Sequence, residues 1–546
     1  MRSLLINFRT TIPYISNNDG LNDYYQIGFL KEENRNFICR NNEKRLNQIA
    51  LEQRQIYTDW VADLNSLFLK EELILNNDLS LFYFTDLSNK RNEIFNTFNN
   101  ICNIKLIEEL VLIHNYEHIL INGGDDYFYE SISSVLKIKV QTFLNSKKEN
   151  KFIRLGLKNS FFSSYFNYLR LLLKYFLYHL FLYPLLLFSK KIDHKAKNIY
   201  FTRYPLHFKE NLFLEEKYNF LVKKNDKFFT SIICDGLHQN IDIIKAIKSR
   251  ISLSSSKKRH IIIDDYINLK IILKSFFNSI IYLFKFNRLL KKNYYYGVIN
   301  VTKSIKSELV LSFQRVLALI LNYECLNLAI KKVNADKYIY YLHEYAFGRM
   351  ISYSLHKNSR LETVGFQHGP SSMLKLVYSI SEKEIPFDNL NYIKSVPIPK
   401  SVLAEDKSSK IVYENSGFSN ITVLQKIPRL SYLYNIKLNQ FKDFILIAAG
   451  LHDFEIVYKF ALKLIKENSQ YKFIFKAHPR SKISFDKYKL PFNAEFSNLD
   501  ISELFIRAEC VYATYSSVAL EANFLNIPVK LIPCPGIINQ SPLTLS

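Results

Sequence analysis

Cysteine is sparse and scattered: six in 546 residues, at 39, 102, 234, 325, 510 and 534, with no Cys-x-x-Cys and no close pair. That spacing argues against a zinc site and against disulfides, and it predicts buried core thiols in a reducing compartment. No Asp-x-Asp arrangement and no His/Cys cluster stands at ligand spacing, so no metal is expected. Zinc-finger spacing, an RNP-like string and a helix-turn-helix cue are all missing, so nucleic acid is not an expected partner. There is no internal repeat or low-complexity tract, and Ser252-Leu-Ser-Ser-Ser-Lys-Lys-Arg259 is the one clear loop cluster. The apolar stretch in Met1-Arg-Ser-Leu-Leu-Ile-Asn-Phe-Arg9 is too short for a signal peptide and reads as a first strand, which makes the cytoplasm the default location.

What the chain has in quantity is apolar and basic. Hydrophobic residues make up 48% and aromatics 15%, ample for well-filled interiors, and the length suggests two or three domains. The net charge of +23 is carried mainly by Lys, alongside abundant Asn, Ile, Tyr and Phe. Part of that bias looks like an A/T-rich genome. The remainder favours anionic partners: phosphates, acidic glycans or an anionic membrane surface.

Short apolar runs ending at polar or glycine residues recur along the chain, separated by helical patterns of ten to fifteen residues. A first α/β region (1–150) holds Leu4–Phe8, Leu81–Phe84 and His118–Ile121 as expected strands, and an apolar-basic helical bridge covers 151–195. A second block (196–420) restarts with Asn198–Thr202, Phe228–Cys234 and His260–Ile263, then Tyr338–Leu342 and Thr363–Phe366. A third (421–546) holds Phe444–Ala449, Phe473–Ala477, Cys510–Ala513 and Pro528–Ile532. This alternation predicts an α/β fold with parallel sheets.

Chemistry concentrates where strands end. Tyr471-Lys-Phe-Ile-Phe-Lys-Ala-His-Pro-Arg480 reads as a strand that stops at His478-Pro479. Cys510-Val-Tyr-Ala-Thr-Tyr-Ser-Ser-Val-Ala-Leu-Glu-Ala522 reads as a strand, a tight turn and a helix opening on Ser516-Ser517. A helix N-terminus with two hydroxyls is a ready anion site, and open α/β sheets bind ligands at this edge. The bland readings are a solvated loop histidine and a plain N-cap. Gly450 directly follows a strand and would let backbone approach a ligand. Arg480 would help neutralise phosphate or stand as an exposed loop arginine.

The order strand–His-Pro, strand–Ser-Ser–helix–Glu, then Asn526-Ile-Pro-Val529 resembles the nucleotide-binding half of bacterial GT-B glycosyltransferases. Closest is the group using CMP-activated acidic sugars, the sialyltransferases and Kdo transferases of surface polysaccharide synthesis. The resemblance implies two Rossmann-like domains facing a cleft, His478, Pro479, Ser516 and Ser517 holding the CMP, and Glu521 accepting from ribose hydroxyls. Gly365-Phe-Gln-His-Gly-Pro370 resembles the Gln-His-Gly turn of related surface-carbohydrate enzymes and of polyol-phosphate polymerases. One motif departs. The acidic-acidic-Gly string that carries the sialyltransferase base is reversed here, as Gly123-Gly-Asp-Asp126, so that role is not carried over.

Inverting transfer to a hydroxyl needs one base. Glu344 and His368 follow adjacent expected strands of the second block and are the candidates, with Asp125, Asp126 and Gln367 as acceptor-binding residues or alternative bases. The expected activity moves a CMP-activated ulosonic acid onto a glycan or lipid-linked glycan of a capsule or lipopolysaccharide, with the nucleotide-sugar as substrate and no cofactor. A UDP/GDP-sugar or CDP-polyol transferase on the same architecture is the alternative, and a non-catalytic basic scaffold or nucleic-acid-binding protein the second. Two segments bear on a peripheral location at the inner face of the cytoplasmic membrane. Leu169–Phe188 is very apolar but interrupted by Arg170, Lys174, His179 and Pro184, so its longest charge-free stretch falls short of the ~20 residues of a span. Leu269–Lys292 mixes apolar and basic residues at near-helical spacing and would lie on an anionic leaflet or pack on a domain core.

Overall fold

Short apolar runs become the inner strands of three parallel sheets. The computed structural model describes the chain except residues 1, 14–20, 31–36, 93, 125, 143–160, 191–193, 209–214, 234–241, 255–258, 343–345, 359–361, 386–390, 452, 480, 482 and 544–546. The first sheet contains β1 (Ser3–Asn7), β2 (Leu21–Gln26), β3 (Ile38–Cys39), β4 (His118–Asn122) and β5 (Lys139–Thr142), in the order β3-β2-β1-β4-β5. The second contains β6 (His194–Arg203), β7 (Lys227–Ser231), β8 (His260–Ile262), β9 (Val333–Tyr341), β10 (Glu362–Phe366), β11 (Ser401–Ala404) and β12 (Ile421–Val423), in the order β8-β7-β6-β9-β10-β11-β12. The third contains β13 (Phe444–Ala448), β14 (Phe473–Lys476), β15 (Ala494–Phe496), β16 (Ala508–Ala513) and β17 (Val529–Leu531), in the order β15-β14-β13-β16-β17.

All three therefore share the Rossmann-type order in which the chain starts at the centre, winds one way, then crosses to the other side. Each has a switch point beside its first strand, the place where such sheets leave a crevice. The central strands carry apolar residues on both faces because helices cover both: every residue of β1 is buried. The expected α/β fold of parallel Rossmann-like sheets, with an additional N-terminal α/β region, is borne out.

Three long helices fill the space between sheets: α1 (Phe161–Lys190), α2 (Leu269–Leu290) and α3 (Thr302–Ile330). Both α1 and α3 are long and apolar enough to cross a membrane, but 72% of the apolar stretch of α3 is buried against 33% of that of α1. So α3 is a core helix, and α1 is apolar on a face that no described residue covers. The inner face of α1 is tied down by buried polar contacts, with Tyr175 donating to Asp264 Oδ1 at 2.9 Å and Tyr178 to Asp265 Oδ1 at 2.8 Å. A buried salt bridge from Arg250 to Asp265 at 2.8 Å completes the anchor.

Several sequence expectations are corrected. Leu81–Phe84 is a buried 3-10 turn, not a strand, and the Ser80 hydroxyl accepts from Phe82 N–H at 3.3 Å to start it. A four-residue apolar run cannot by itself distinguish the two. The Ile421–Val423 strand still pairs with β11, so the second sheet extends past the boundary expected at 421. Cys39 is exposed rather than buried, while Cys102, Cys325 and Cys534 are core thiols and Cys234 lies outside the described residues.

Candidate functional site at the strand ends of the second and third sheets

At the switch point of the first sheet the polar residues satisfy one another. Asn7 donates to Gln26 Oε1 at 2.7 Å and Asn122 donates to Asn7 Oδ1 at 2.7 Å. Gly123 and Gly124, at φ +82 and +83, lie where a Cβ would meet Arg9 and Phe8 at 2.8 Å, so the turn after β4 requires glycine. Asp125 and the side chain of Asp126 lie outside the described residues.

The switch point of the second sheet is built differently. The loop after β6 returns His207 and Glu215 to the end of β9, where Tyr341 stands. The Tyr341 hydroxyl donates to Glu215 Oε1, and His207 Nδ1 lies 2.8 Å from that hydroxyl and 3.2 Å from the same carboxylate oxygen. The second oxygen of Glu215 accepts from Tyr218 N–H at 2.7 Å, and the Tyr218 ring stacks on Tyr341 at 4.7 Å. A carboxylate facing Nδ1 favours the tautomer with its proton there. Burial lowers the His207 pKa, with the Glu215 hydrogen bond working against the shift.

His368, in the turn after β10, places its ring 4.9 Å from that of Tyr341. The residue is half-buried and its Nδ1 is enclosed, so the accessible part of the ring is its other side. Burial, reinforced by cationic Lys217, Lys375 and Arg203 and by His207, holds this imidazole well below the usual histidine range. Lys217 Nζ also sits over the Tyr341 ring at 5.0 Å. The result is a neutral histidine in a cationic setting, suited to an anionic ligand. Gly369 beside it has no neighbour within 4 Å of an added Cβ and no positive φ, so it leaves open space rather than forming an obligatory turn.

Gln367 is a structural clamp. It is fully buried, donates to Gly369 O at 2.8 Å and to Ser409 Oγ at 3.1 Å, and accepts from Glu405 N–H at 2.9 Å. The expectation that it meets acceptor is therefore corrected: no polar atom of its amide is left over. Glu344 lies outside the described residues.

At the switch point of the third sheet, α4 (Ser517–Phe524) follows β16, with Ser516 as its N-cap. The Ser516 side chain makes no capping bond, and its enclosed Oγ has no partner among the described residues. An enclosed hydroxyl without a partner is costly unless a ligand completes it. Thr514 donates to Asp453 Oδ2, and Asp453 Oδ1 is likewise enclosed and unpartnered. A Cβ on Gly450 would lie 2.8 Å from Asp453 Oδ2. The glycine thus admits the Asp453 carboxylate, where a ligand was expected. The His478 carbonyl accepts from Ser481 N–H at 2.9 Å, which pins the turn after β14, while Pro479 and Ser517 are exposed. Arg480 lies outside the described residues.

The segment between the second and third sheets ties the strand-end sides of the two together, with Arg429 as its main contact to the second. Arg429 donates from Nε to Glu405 Oε1 at 2.7 Å and from Nη2 to Oε2 at 2.8 Å, and Asn219 donates to Ser431 Oγ at 2.8 Å. Burial raises the Glu405 pKa and the paired Arg429 pulls it back. From the same segment Tyr432 hydrogen-bonds to Glu521 of α4, and burial together with that carboxylate pushes the phenol up. Glu521 thus has a phenol partner from the linker. His207, Glu215, Tyr341, Asp453 and Thr514 escape sequence reading, since only the strand order brings them to switch points. Among the described residues no group of three His, Cys, Asp or Glu could hold a metal ion.

No protein-family model and no curated protein matches the chain. Among solved structures it is similar to UDP-GlcNAc 2-epimerase from Methanocaldococcus jannaschii at 13% identity, over 62% of this chain and 83% of that one, with a TM-score of 0.29. It is also similar to the wall teichoic acid polymerase TagF at 13% identity, over 66% and 78% of the two chains, with a TM-score of 0.28. A third likeness is UDP-GlcNAc 2-epimerase from Neisseria meningitidis bound to UDP-GlcNAc, at 11% identity over 62% and 82%, with a TM-score of 0.31. All three scores are low, and the strand order carries the fold on its own.

Proposed function

We propose that the protein is a glycosyltransferase that moves a nucleotide-activated, anionic sugar onto a hydroxyl of a surface glycan. The observation that carries this reading is a pair of switch-point sites of complementary chemistry whose sheets are joined at their strand ends through Glu405, Arg429 and Tyr432. On the third-sheet side, the free N–H groups of α4, Ser516 Oγ and His478 would hold the nucleotide phosphate and stabilise the leaving charge. Asp453 Oδ1, a lone acceptor, would take a hydroxyl of the donor. On the second-sheet side, Arg203, Lys217 and Lys375 would receive the donor's own anionic group while neutral His368 takes the acceptor proton. His207, Glu215 and Tyr341 would hold His368 in place, with no metal invoked. A CMP-activated ulosonic acid, which carries a carboxylate, fits this charge pattern. A CDP-polyol fits it as well, because a transferred phosphate would meet the same cations.

Thermal unfolding in the presence of CMP, CDP, UDP and GDP tests the reading, since a ligand bound only to the native state raises its melting temperature. A cytidine nucleotide is expected to give the largest shift. Ser516→Ala and His478→Ala should each weaken that nucleotide by about 1.5–3 kcal/mol, the loss of one charge-assisted hydrogen bond. No shift with any nucleotide, or unchanged affinity in both variants, would remove the donor site.

A further inference from the structure

Helices α1 and α2 lie side by side and antiparallel: the Tyr165 hydroxyl is 3.3 Å from Ser279 Oγ, and Tyr168 donates to Ser275 O at 3.4 Å. Both turn apolar stripes outward. Phe166 is 60% exposed, Leu173 55% and Leu180 58% on α1, and Leu273 49%, Phe277 61% and Phe284 63% on α2. Their spacing of four or seven residues puts each set on one helix face. Isolated exposed apolar residues are ordinary; two adjoining stripes of them are not.

Charge settles what would cover this face. Neither helix contains an Asp or Glu, whereas Arg170, Lys174, Lys270, Lys274, Lys285 and Arg288 punctuate them. Arg170 and Lys270 are exposed beside the stripes. Lys285 and Arg288 bind Glu72 and Glu71 and so fix the last turns of α2 to the body. Lys274 is paired with Glu324 at 2.6 Å. An apolar face on two helices that themselves carry cations and no carboxylate matches the interface of an anionic bilayer, where rings and aliphatic chains enter the acyl boundary and basic side chains meet headgroup phosphates.

We propose that the α1–α2 face is a monotopic membrane-docking surface for anionic lipid. Although α1 is long and apolar enough to span, Tyr175 and Tyr178 are hydrogen-bonded to buried Asp264 and Asp265 on its inner side. Crossing the bilayer would break those bonds and strip the helix from α2, so it lies flat.

The test is co-sedimentation of the full chain with vesicles of phosphatidylglycerol and phosphatidylethanolamine, against vesicles of phosphatidylcholine alone. The protein is expected to pellet with the anionic vesicles, to remain largely in solution with the neutral ones, and to be released at about 0.5 M NaCl. Leu173→Glu combined with Phe277→Glu should lower the bound fraction at least about tenfold while the melting temperature stays at the wild-type value. A double variant that pellets like the wild type overturns the proposal, as does wild type that stays in solution with both lipids. Retention that resists salt and alkaline carbonate would overturn it in favour of a spanning helix. Lipid-independent dimerisation abolished by the same variant would give the face to a second copy of the chain.

Discussion

A histidine accepts a proton only when neutral, and His368 is kept neutral by burial and by the cations around it. An anionic donor that neutralises Lys217, Lys375 and Arg203 would relax that restraint and make the imidazole a stronger base. Two pH profiles should therefore differ. The acidic limb of kcat/KM, which reports the free enzyme, is expected below the ordinary histidine value of about 6.5, and that of kcat, which reports the donor complex, at higher pH than the first. His368→Ala should lower turnover by about 10²–10⁴-fold with donor affinity unchanged; near-normal turnover would exclude it as the base. Stability carries the same sign. The folded-state pKa is depressed, so the unfolded chain binds the proton first, and stability is lost as pH falls from about 6.5 towards the folded value. Melting curves of His368→Gln should show less of that loss. His368 and Ser516 are legible in the sequence because each sits in a short local pattern, Gln-His-Gly or Ser-Ser at a helix start. His207 and Glu215 are not, since the loop that bends Glu215 back to His207 has no spacing to announce it.

Elements differ in how openly the sequence displays them. The Phe444–Ala448 and Phe473–Lys476 strands are legible because a parallel strand covered on both faces is continuously apolar between polar breaks. Ile421–Val423 is hidden: it is a three-residue edge strand with no buried residue, too short for its Ile-Thr-Val alternation to stand out. Helix α3 reads as a membrane span by composition alone, and only the surrounding helices show that it is core. The Pro428–Leu433 turn, which carries Arg429, has no sequence signature of its role. Its importance lies in the Glu405 carboxylate, which is 3% exposed and held by two hydrogen bonds from one guanidinium. Arg429→Met leaves that carboxylate buried without its cation and should destabilise the protein by about 3–5 kcal/mol in urea unfolding. Glu405→Gln combined with Arg429→Met should recover part of the loss, because no unpaired charge remains. Equal losses in the single and double variants would show that the pair acts through packing alone.

Over the whole molecule, three sheets of one strand order are fastened by a segment that sequence patterning leaves blank. After β17 the chain leaves the third sheet and runs back over the first region. Pro535 O accepts from Gly28 N–H at 2.9 Å, Gly536 O accepts from Asn99 and Asn103 at 3.0 Å each, and Asn539 N–H donates to Asn47 Oδ1 at 2.8 Å. The Ser372 hydroxyl, in the second-sheet loop beyond His368, donates to Gln540 O at 2.7 Å. One strap thus ties the third sheet to the regions of the other two. Its tightest point is Gly536, at φ +66, where a Cβ would stand 3.0 Å from Gln26 O and 2.9 Å from Ile27. Gly536→Val meets both a disfavoured backbone conformation and a main-chain obstacle, so the strap should lift from the first region. Nucleotide bound at the third sheet is expected to raise a single cooperative transition in the wild-type protein. In Gly536→Val, calorimetry should resolve an early transition that ignores nucleotide, from the first region, and a later one that still responds. A single transition in the variant with the full nucleotide shift would mean that the strap does not couple the sheets. The buried α3 and the polar contacts of α1 would then be what makes them unfold together.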